Sequence, residues 1–326
     1  MLKALTKLNK TLISIKGKDS TKFLNGLLTV KPPDNPESLA ATASYGAILN
    51  PKGRVMADLF VYGVNSVEWI DAHYLLEVDS RISEKILAQL DFYKLSSVVD
   101  IDTIAIDSYY TWNDEFNETI GDSPDSRLVF KDTRVPSLGS KVLQLAATPM
   151  QEPLDDAINY DIRRYLFGIP EGSQEFIPTK SLPLEMCLDF LNGVDFLKGC
   201  YVGQELTIRT HHGGVIRKRV VPVVFTAPGA EIPEDVYAPI SFDIAAGQPV
   251  LDAMPVPHSD QLLNNPFGDV SIREKSRPAG TVIGSVNNVG LALMRIDKIG
   301  HEFHLGDGTK VHPMVPFWWP QEVSTN

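Results

Sequence analysis

The stretch KGCYVGQELTIRTHHGGVIRKR, Lys198 to Arg219, sets one of the chain's two cysteines in a polar turn framed by glycines. A thiol acts as nucleophile or metal ligand only as the thiolate, and its pKa falls beside cations or at a helix N-terminus. Lys198 precedes Cys200 closely. Gly199 and Gly203 remove side chains that would crowd or strain a tight turn. Gln204 and Glu205 can donate and accept hydrogen bonds at the mouth of whatever the turn encloses. Cys200 is therefore a candidate for an outward-facing thiol, and the competing reading is a small buried residue at a loop-to-helix junction. The other cysteine, in Leu184-Glu185-Met186-Cys187-Leu188, falls in a run read as helix from Pro183 to Leu191 and reads as buried.

Beyond the turn, His211 and His212 are adjacent with no third ligand fixed by spacing, which favours a solvated loop over a zinc site. Arg209 with Arg217, Lys218 and Arg219 makes a local positive field suited to a carboxylate, a phosphate or an acidic partner.

Upstream of the turn the text is mixed. Thr11 to Ile15 alternates as a strand, and Asp19 or Ser20 can cap a helix carrying Phe23, Leu24, Leu27 and Leu28 before Pro32-Pro33. Tyr45 to Leu49, the turn Pro51-Lys52-Gly53-Arg54 and Val55 to Tyr62 read as a hairpin. Tyr74 to Val78 is a strand, Ser80 to Leu90 a helix with Ile82, Ile86, Leu87 and Leu90 on one face, and Val98 to Ile101 a returning strand. Together these predict a sheet with helices on one side. Thr111 to Ser126 is acidic and polar, a surface excursion. Asp155 to Phe167 reads as helix. From Val215 onward short β-rich runs at Val220 to Phe225, Thr281 to Asn287 and Leu291 to Ile296 suit a small barrel or sandwich. Ala227 to Arg277 between them is Pro-rich and irregular.

Composition narrows the classes. The chain has 326 residues, 43% hydrophobic and 22% charged, enough for two or three cores of roughly 100 to 150 residues. Two cysteines match neither a disulfide framework nor a zinc-finger spacing, so both are expected reduced. A net charge of -11 argues against a sequence-independent grip on nucleic acid. No apolar run approaches the roughly 20 residues that span a bilayer. The start, MLKALTKLNKTLISIKGKDSTK, lacks the apolar block of a secretory signal. It reads either as a first strand with solvated lysines or as the remnant of an organelle-targeting peptide.

The turn and its sequel resemble the YgfZ-type iron-sulfur cluster assembly factors, a branch of the folate-binding superfamily named for the aminomethyltransferase (T-protein) of glycine cleavage. The signature K-G-C-Y-x-G-Q-E followed by an Arg-Thr-His run and a basic strand is present in full. NPKGRVMADLFVY (Asn50 to Tyr62), YDIRRYLFGIP (Tyr160 to Pro170) and GSVNNVGLALMRI (Gly284 to Ile296) agree, so the resemblance covers most of the chain. The double histidine and Arg217-Lys218-Arg219 resemble the mitochondrial members, which implies a matrix protein whose transit peptide is absent or very short here.

The resemblance implies an α+β fold of three subdomains in a ring: a discontinuous first one over 1–50 plus 150–212, a ferredoxin-like second over 51–149, and a C-terminal β-barrel over 213–326. It implies an assembly factor more than an enzyme, acting with A-type scaffold proteins and a ferredoxin in maturation of [4Fe-4S] clients of the aconitase and lipoyl synthase type. Cys200 would be a transient ligand of a shared iron-sulfur cluster, or a thiol relay. Tetrahydrofolate is the cofactor candidate, with Asp58, Lys198, Gly199, Tyr201, Gly203, Gln204, Glu205 and Arg209 as the expected binding set. One departure bears on chemistry. The aminomethyltransferases carry Asp-Asp-Leu where this chain has Ala57-Asp58-Leu59, so one acid of the pair is gone. Asp58 alone could pair with Arg54 or cap a backbone turn, which weakens the alternative of a folate-dependent aminomethyl transferase.

Overall fold

Period-two alternation builds the first sheet. In the strand β4 (Val55–Gly63), Ala57, Leu59 and Val61 face one apolar cluster while Phe60 and Tyr62 face another. Asp58 shares the second face, beside Tyr45. The computed structural model describes residues 5–33, 42–64, 73–112, 127–148, 150, 153–233, 240–253 and 278–320. Within them β4 lies in an antiparallel sheet, in the order β3 (Thr42–Leu49), β4, β5 (Tyr74–Asp79), β2 (Lys10–Lys16), β6 (Asp100–Ile104). The helices α1 (Ser20–Asn25) and α2 (Ser83–Lys94) cover one face, burying Phe23, Leu24, Ile86 and Leu90 against Ala57, Leu59 and Val61.

A second antiparallel sheet runs β1 (Leu5–Lys7), β7 (Ile106–Thr111), β9 (Ser140–Leu145), β8 (Arg127–Lys131). The helix α3 (Ala157–Leu166) follows, its first turn held by the Asp156 carboxylate, which accepts the Ile158 N–H at 3.1 Å. A long series of turns leads to α4 (Gln204–Gly213). The chain then closes a six-stranded barrel in the order β10 (Lys218–Thr226), β13 (Val289–Arg295), β12 (Gly280–Val286), β11 (Pro249–Asp252), β14 (Phe303–His304), β15 (Lys310–Pro313). Residue Val223 pairs with both Gly290 and Pro313, which ties the first strand to its two neighbours.

The barrel and the hairpin lie where the sequence puts them. Other expectations are corrected. The boundary expected between residues 50 and 51 falls inside the β3–β4 hairpin, whose register runs from Thr42 opposite Gly63 to Leu49 opposite Val55. Hairpin pairing is local, so a subdomain edge cannot cut it. Pro183 to Leu191 is not a helix. Cys187 has φ +59° and Asn192 φ +57°, so left-handed residues break the run into separate turns. The excursion at 111–126 and the irregular stretch at 227–277 lie largely outside the described residues.

Where the two sheets and the α3 segment meet, the core is charged. Arg134, with no exposed side-chain surface, grips Asp132 through Nε and Nη2 (2.7 Å for the shorter contact) and Glu171 through Nη1 at 2.5 Å. Its guanidinium lies over the rings of Tyr45 and Phe60, 5.2 and 5.0 Å from their centroids. Lys10 reaches Glu171 at 2.8 Å, and Lys141 reaches Glu77 at 2.7 Å. Burial alone would raise the Glu171 carboxyl, yet Lys10, Lys141, Arg134 and Arg164 together hold it well below its usual range.

Candidate functional site

The cysteine turn is built by capping and anchoring. Asp195 Oδ1 accepts the N–H groups of Leu197 (2.8 Å) and Lys198 (3.1 Å), closing an Asx-type turn. Thr29 ties the approach to the first sheet: its hydroxyl donates to Gly193 O at 2.6 Å and accepts the Ala47 N–H at 2.8 Å. Lys198 then commits its ammonium to three carbonyls at and just past the end of α1, those of Asn25 (2.8 Å), Leu28 (2.5 Å) and Val30 (3.1 Å). It also lies 4.9 Å from the Tyr201 ring centroid. Burial is the main reason its pKa falls to about 8, with Lys31 adding to the fall and Asp195 opposing it.

After the cysteine the chain turns back in. Val202 N–H donates to Gly26 O at 3.0 Å, and Gln204 Oε1 accepts the Tyr201 N–H at 3.3 Å. Tyr201 is buried, and its hydroxyl has no partner among the described residues. Burial pushes that phenol up to about 12, with Asp195 and Glu205 adding to it. Gly203 starts α4 at φ +80°, and a Cβ there would stand 2.2 Å from Asn50 O. Only glycine fits that junction. Gly199 differs from the expectation, since no atom lies within 4 Å of where its Cβ would be.

Between these anchors Cys200 is exposed. Leu197 beside it is 93% exposed, while Phe196 folds back and stacks on the His211 ring at 3.6 Å. Glu205 and Arg209 sit on exposed positions of α4. The positive field is smaller than the sequence suggests. Arg219 is buried, gripped by Asp189 through two bonds of 2.8 Å and packed over Phe190. Arg209, Arg217 and Lys218 stay exposed.

Cys187 offers the contrast. It is fully buried, its thiol donates to Val220 O at 3.5 Å, and burial pushes its pKa up to about 12 against the pull of Arg219. Iodoacetamide is therefore expected to alkylate Cys200 in the native protein at least ~100-fold faster than Cys187, because the buried thiol reacts only through opening. Peptide mass mapping over time checks this, and comparable rates would contradict it.

Asp58 is not part of this turn. It projects from the other face of β4, accepting the Gly172 N–H at 2.9 Å and the Tyr45 hydroxyl at 3.2 Å. Arg54 does not pair with it but donates to Lys180 O at 2.6 Å. Burial pushes the Asp58 carboxyl up to about 6 from 3.8; Lys10 opposes the rise and Glu171 adds to it. Its proton is bound more tightly folded than unfolded. The resulting stability is complete below about 3.8 and is lost as pH rises through about 6. Asp58→Asn removes that titration. Relative to the native chain, its unfolding free energy should rise by about 2–3 kcal/mol between pH 4 and 7 in urea melts. A pH-independent difference would refute the buried acid.

Both Asp58 oxygens and the Lys198 ammonium are thus taken up by the chain's own groups, and the two lie among different neighbours. As placed, these residues do not fit a shared tetrahydrofolate site. The sequence does not single out Asp195 and Thr29, which hold the turn. Asp195 stands two residues before Leu197, the spacing of its Asx turn, whereas nothing in the local text points to Thr29.

The fold is that of the aminomethyltransferase class. The structure overlays with a TM-score of 0.66 on glycine cleavage system aminomethyltransferase T from Bartonella henselae, covering 96% of this chain and 86% of that one at 12% identity. Residues 217–321 match the family described as CAF17, C-terminal beta-barrel domain. Over 98% of its length the chain is 34% identical to the mitochondrial iron-sulfur cluster assembly factor IBA57 homolog of Neosartorya fischeri, spanning 76% of that protein. The Neurospora crassa homolog is 35% identical over 90% of this chain and 70% of its own length. The chain belongs to this family of mitochondrial iron-sulfur cluster assembly factors.

Proposed function

We propose that the protein acts in the mitochondrial matrix on [4Fe-4S] maturation, with an A-type scaffold protein as partner and Cys200 as the thiol that meets the cluster. The observation that carries this is the placement of Cys200: an exposed thiol on a turn pinned at Lys198, Val202 and Gly203, with a nearly fully exposed leucine beside it. A rigid turn presents sulfur without an ordering cost at the moment of contact. One protein cysteine cannot hold a cluster that takes four thiolates, so the remaining ligands must come from the partner. The cluster is then cargo held across two chains. Joining smaller oxidised clusters into a [4Fe-4S] unit consumes electrons, and a ferredoxin is the assigned donor. No step of this proposal runs through tetrahydrofolate.

Cys200→Ser tests it. The change falls on an exposed side chain, so stability should stay within about 0.5 kcal/mol of native. Serine is a harder ligand that stays protonated near neutral pH and cannot replace the thiolate. In cells depleted of the native protein, the variant should accumulate normally yet leave aconitase activity at the depleted level. Full rescue of aconitase would overturn the role of Cys200.

A further inference from the structure

Helix α4 also walls a cavity of about 340 Å³, shared with the 182–185 segment and the 215–217 lead into the barrel. Its lining is mainly aliphatic, from Leu182, Leu206, Val215 and Ile216 among others, with Glu185, Thr207 and Arg217 as polar exceptions beside Thr210. Thr207 is 2% exposed, and its Oγ1 has no hydrogen-bond partner among the described residues. Its neighbour one turn-face on, Thr210, returns its hydroxyl to Leu206 O at 2.8 Å, so the usual helical outlet for a threonine is used there and not at Thr207. Interiors rarely leave such a group unpaired.

Glu185 adds a second unmet group. It is half-buried, and its side chain makes no hydrogen bond or ion pair among the described residues. Burial raises its pKa, while Lys218 and Arg54 pull the other way. Arg217 stands exposed at the rim, also without an ion pair among the described residues. Lys218 and Arg54 act on this carboxyl and Arg217 stands in the cavity lining, a local excess of cations that disfavours a cationic ligand and favours an anion. A volume of 340 Å³ lies at the small end of the roughly 300–1,000 Å³ typical of ligand pockets, room for an acylated amino acid and too little for a dinucleotide.

We infer that this cavity binds a small aliphatic carboxylate that also carries a neutral N–H or O–H donor. The body fills the aliphatic lining, the donor meets Thr207, and the carboxylate meets Arg217. This site is independent of Cys200 and does not rest on the cluster-assembly reading.

N-acetyl-L-leucine has all three features and serves as the probe. Cationic L-leucinamide and neutral N-acetyl-L-leucinamide are the controls, each titrated into the full chain and followed by methyl NMR. The acid should bind saturably with Kd on the order of 1 mM, as ligands of its size do, and at least ~10-fold more tightly than L-leucinamide. Thr207→Val and Arg217→Gln should each weaken the acid at least ~5-fold, while the neutral amide should bind between the two extremes. Thr207→Val should also melt at or above the native temperature, because it deletes an unpaired hydroxyl at constant shape, a change that a structural role for that hydroxyl would reverse. Arg217→Gln alters only an exposed rim side chain and leaves the test available whatever Thr207→Val does to folding. Absence of saturation at ~10 mM acid, equal binding of the three probes, or native affinity in Arg217→Gln overturns the site.

Discussion

Gly203→Val is expected to cost the protein about 2–5 kcal/mol, a large share of a typical stability of about 5–15. Two penalties add. A β-branched residue at φ +80° pays about 1–2 kcal/mol for the left-handed conformation. Its Cβ would also stand 2.2 Å from Asn50 O and 3.0 Å from Leu49 Cβ, and forcing such contacts apart costs about 1–3 kcal/mol. The displaced atoms belong to the end of β3 and to the hairpin turn, where Asn50 O also accepts the Gly53 N–H. Strain at the cysteine turn therefore spreads into the first sheet. Denaturant melts should show a lowered midpoint, with assembly function falling alongside. Gly199→Ala is the control: open space around that position predicts a change within about 0.5 kcal/mol. Equal effects of the two substitutions would contradict the assigned geometry.

Arg134→Met should be comparably damaging, at about 3–5 kcal/mol, for an electrostatic reason. The guanidinium makes all its contacts inside the protein, to Asp132, Glu171 and the Tyr160 hydroxyl at 3.2 Å. Methionine fills much of the volume but leaves two buried carboxylates short of a cation. Lys10 still serves Glu171, so Asp132 carries most of the loss. Asp132→Asn added to Arg134→Met should recover part of the stability, because an amide is cheaper to bury than an unpaired carboxylate. A loss below about 1 kcal/mol in Arg134→Met would mean that water already screens the network.

These two sites show what the sequence does and does not reveal. Alternation at Val55 to Tyr62 and the glycine turn before it make the hairpin legible, since both signals are local. The αL glycine at 203 is legible as one of a framing pair, but its twin is not: Gly199 faces open space, and only the packing of the hairpin against α4 distinguishes them. Lys198 illustrates the same limit. From its neighbours it reads as a cation beside a thiol, whereas three carbonyls near α1, about 170 residues away in sequence, claim it. The run Pro183 to Leu191 has helical composition, and composition does not announce the left-handed backbone at Cys187 and Asn192. Arg219 reads as part of a surface charge triplet, and the Asp189 that buries it lies on another turn. What carries over intact is the exposure contrast between the two cysteines, because an apolar run and a glycine-framed polar turn differ in how much surface they can hide.

The proposal that Cys200 meets the cluster is tested most directly by anaerobic reconstitution of the full chain with an A-type scaffold, iron, sulfide and a ferredoxin reducing system. Ultraviolet-visible and electron paramagnetic resonance spectra would be read for native protein and for Cys200→Ser at matched folded concentration. The native mixture should give a cluster spectrum that differs from that of the scaffold alone, and Cys200→Ser should return the scaffold-alone spectrum. Identical spectra from the native and Cys200→Ser mixtures would contradict it.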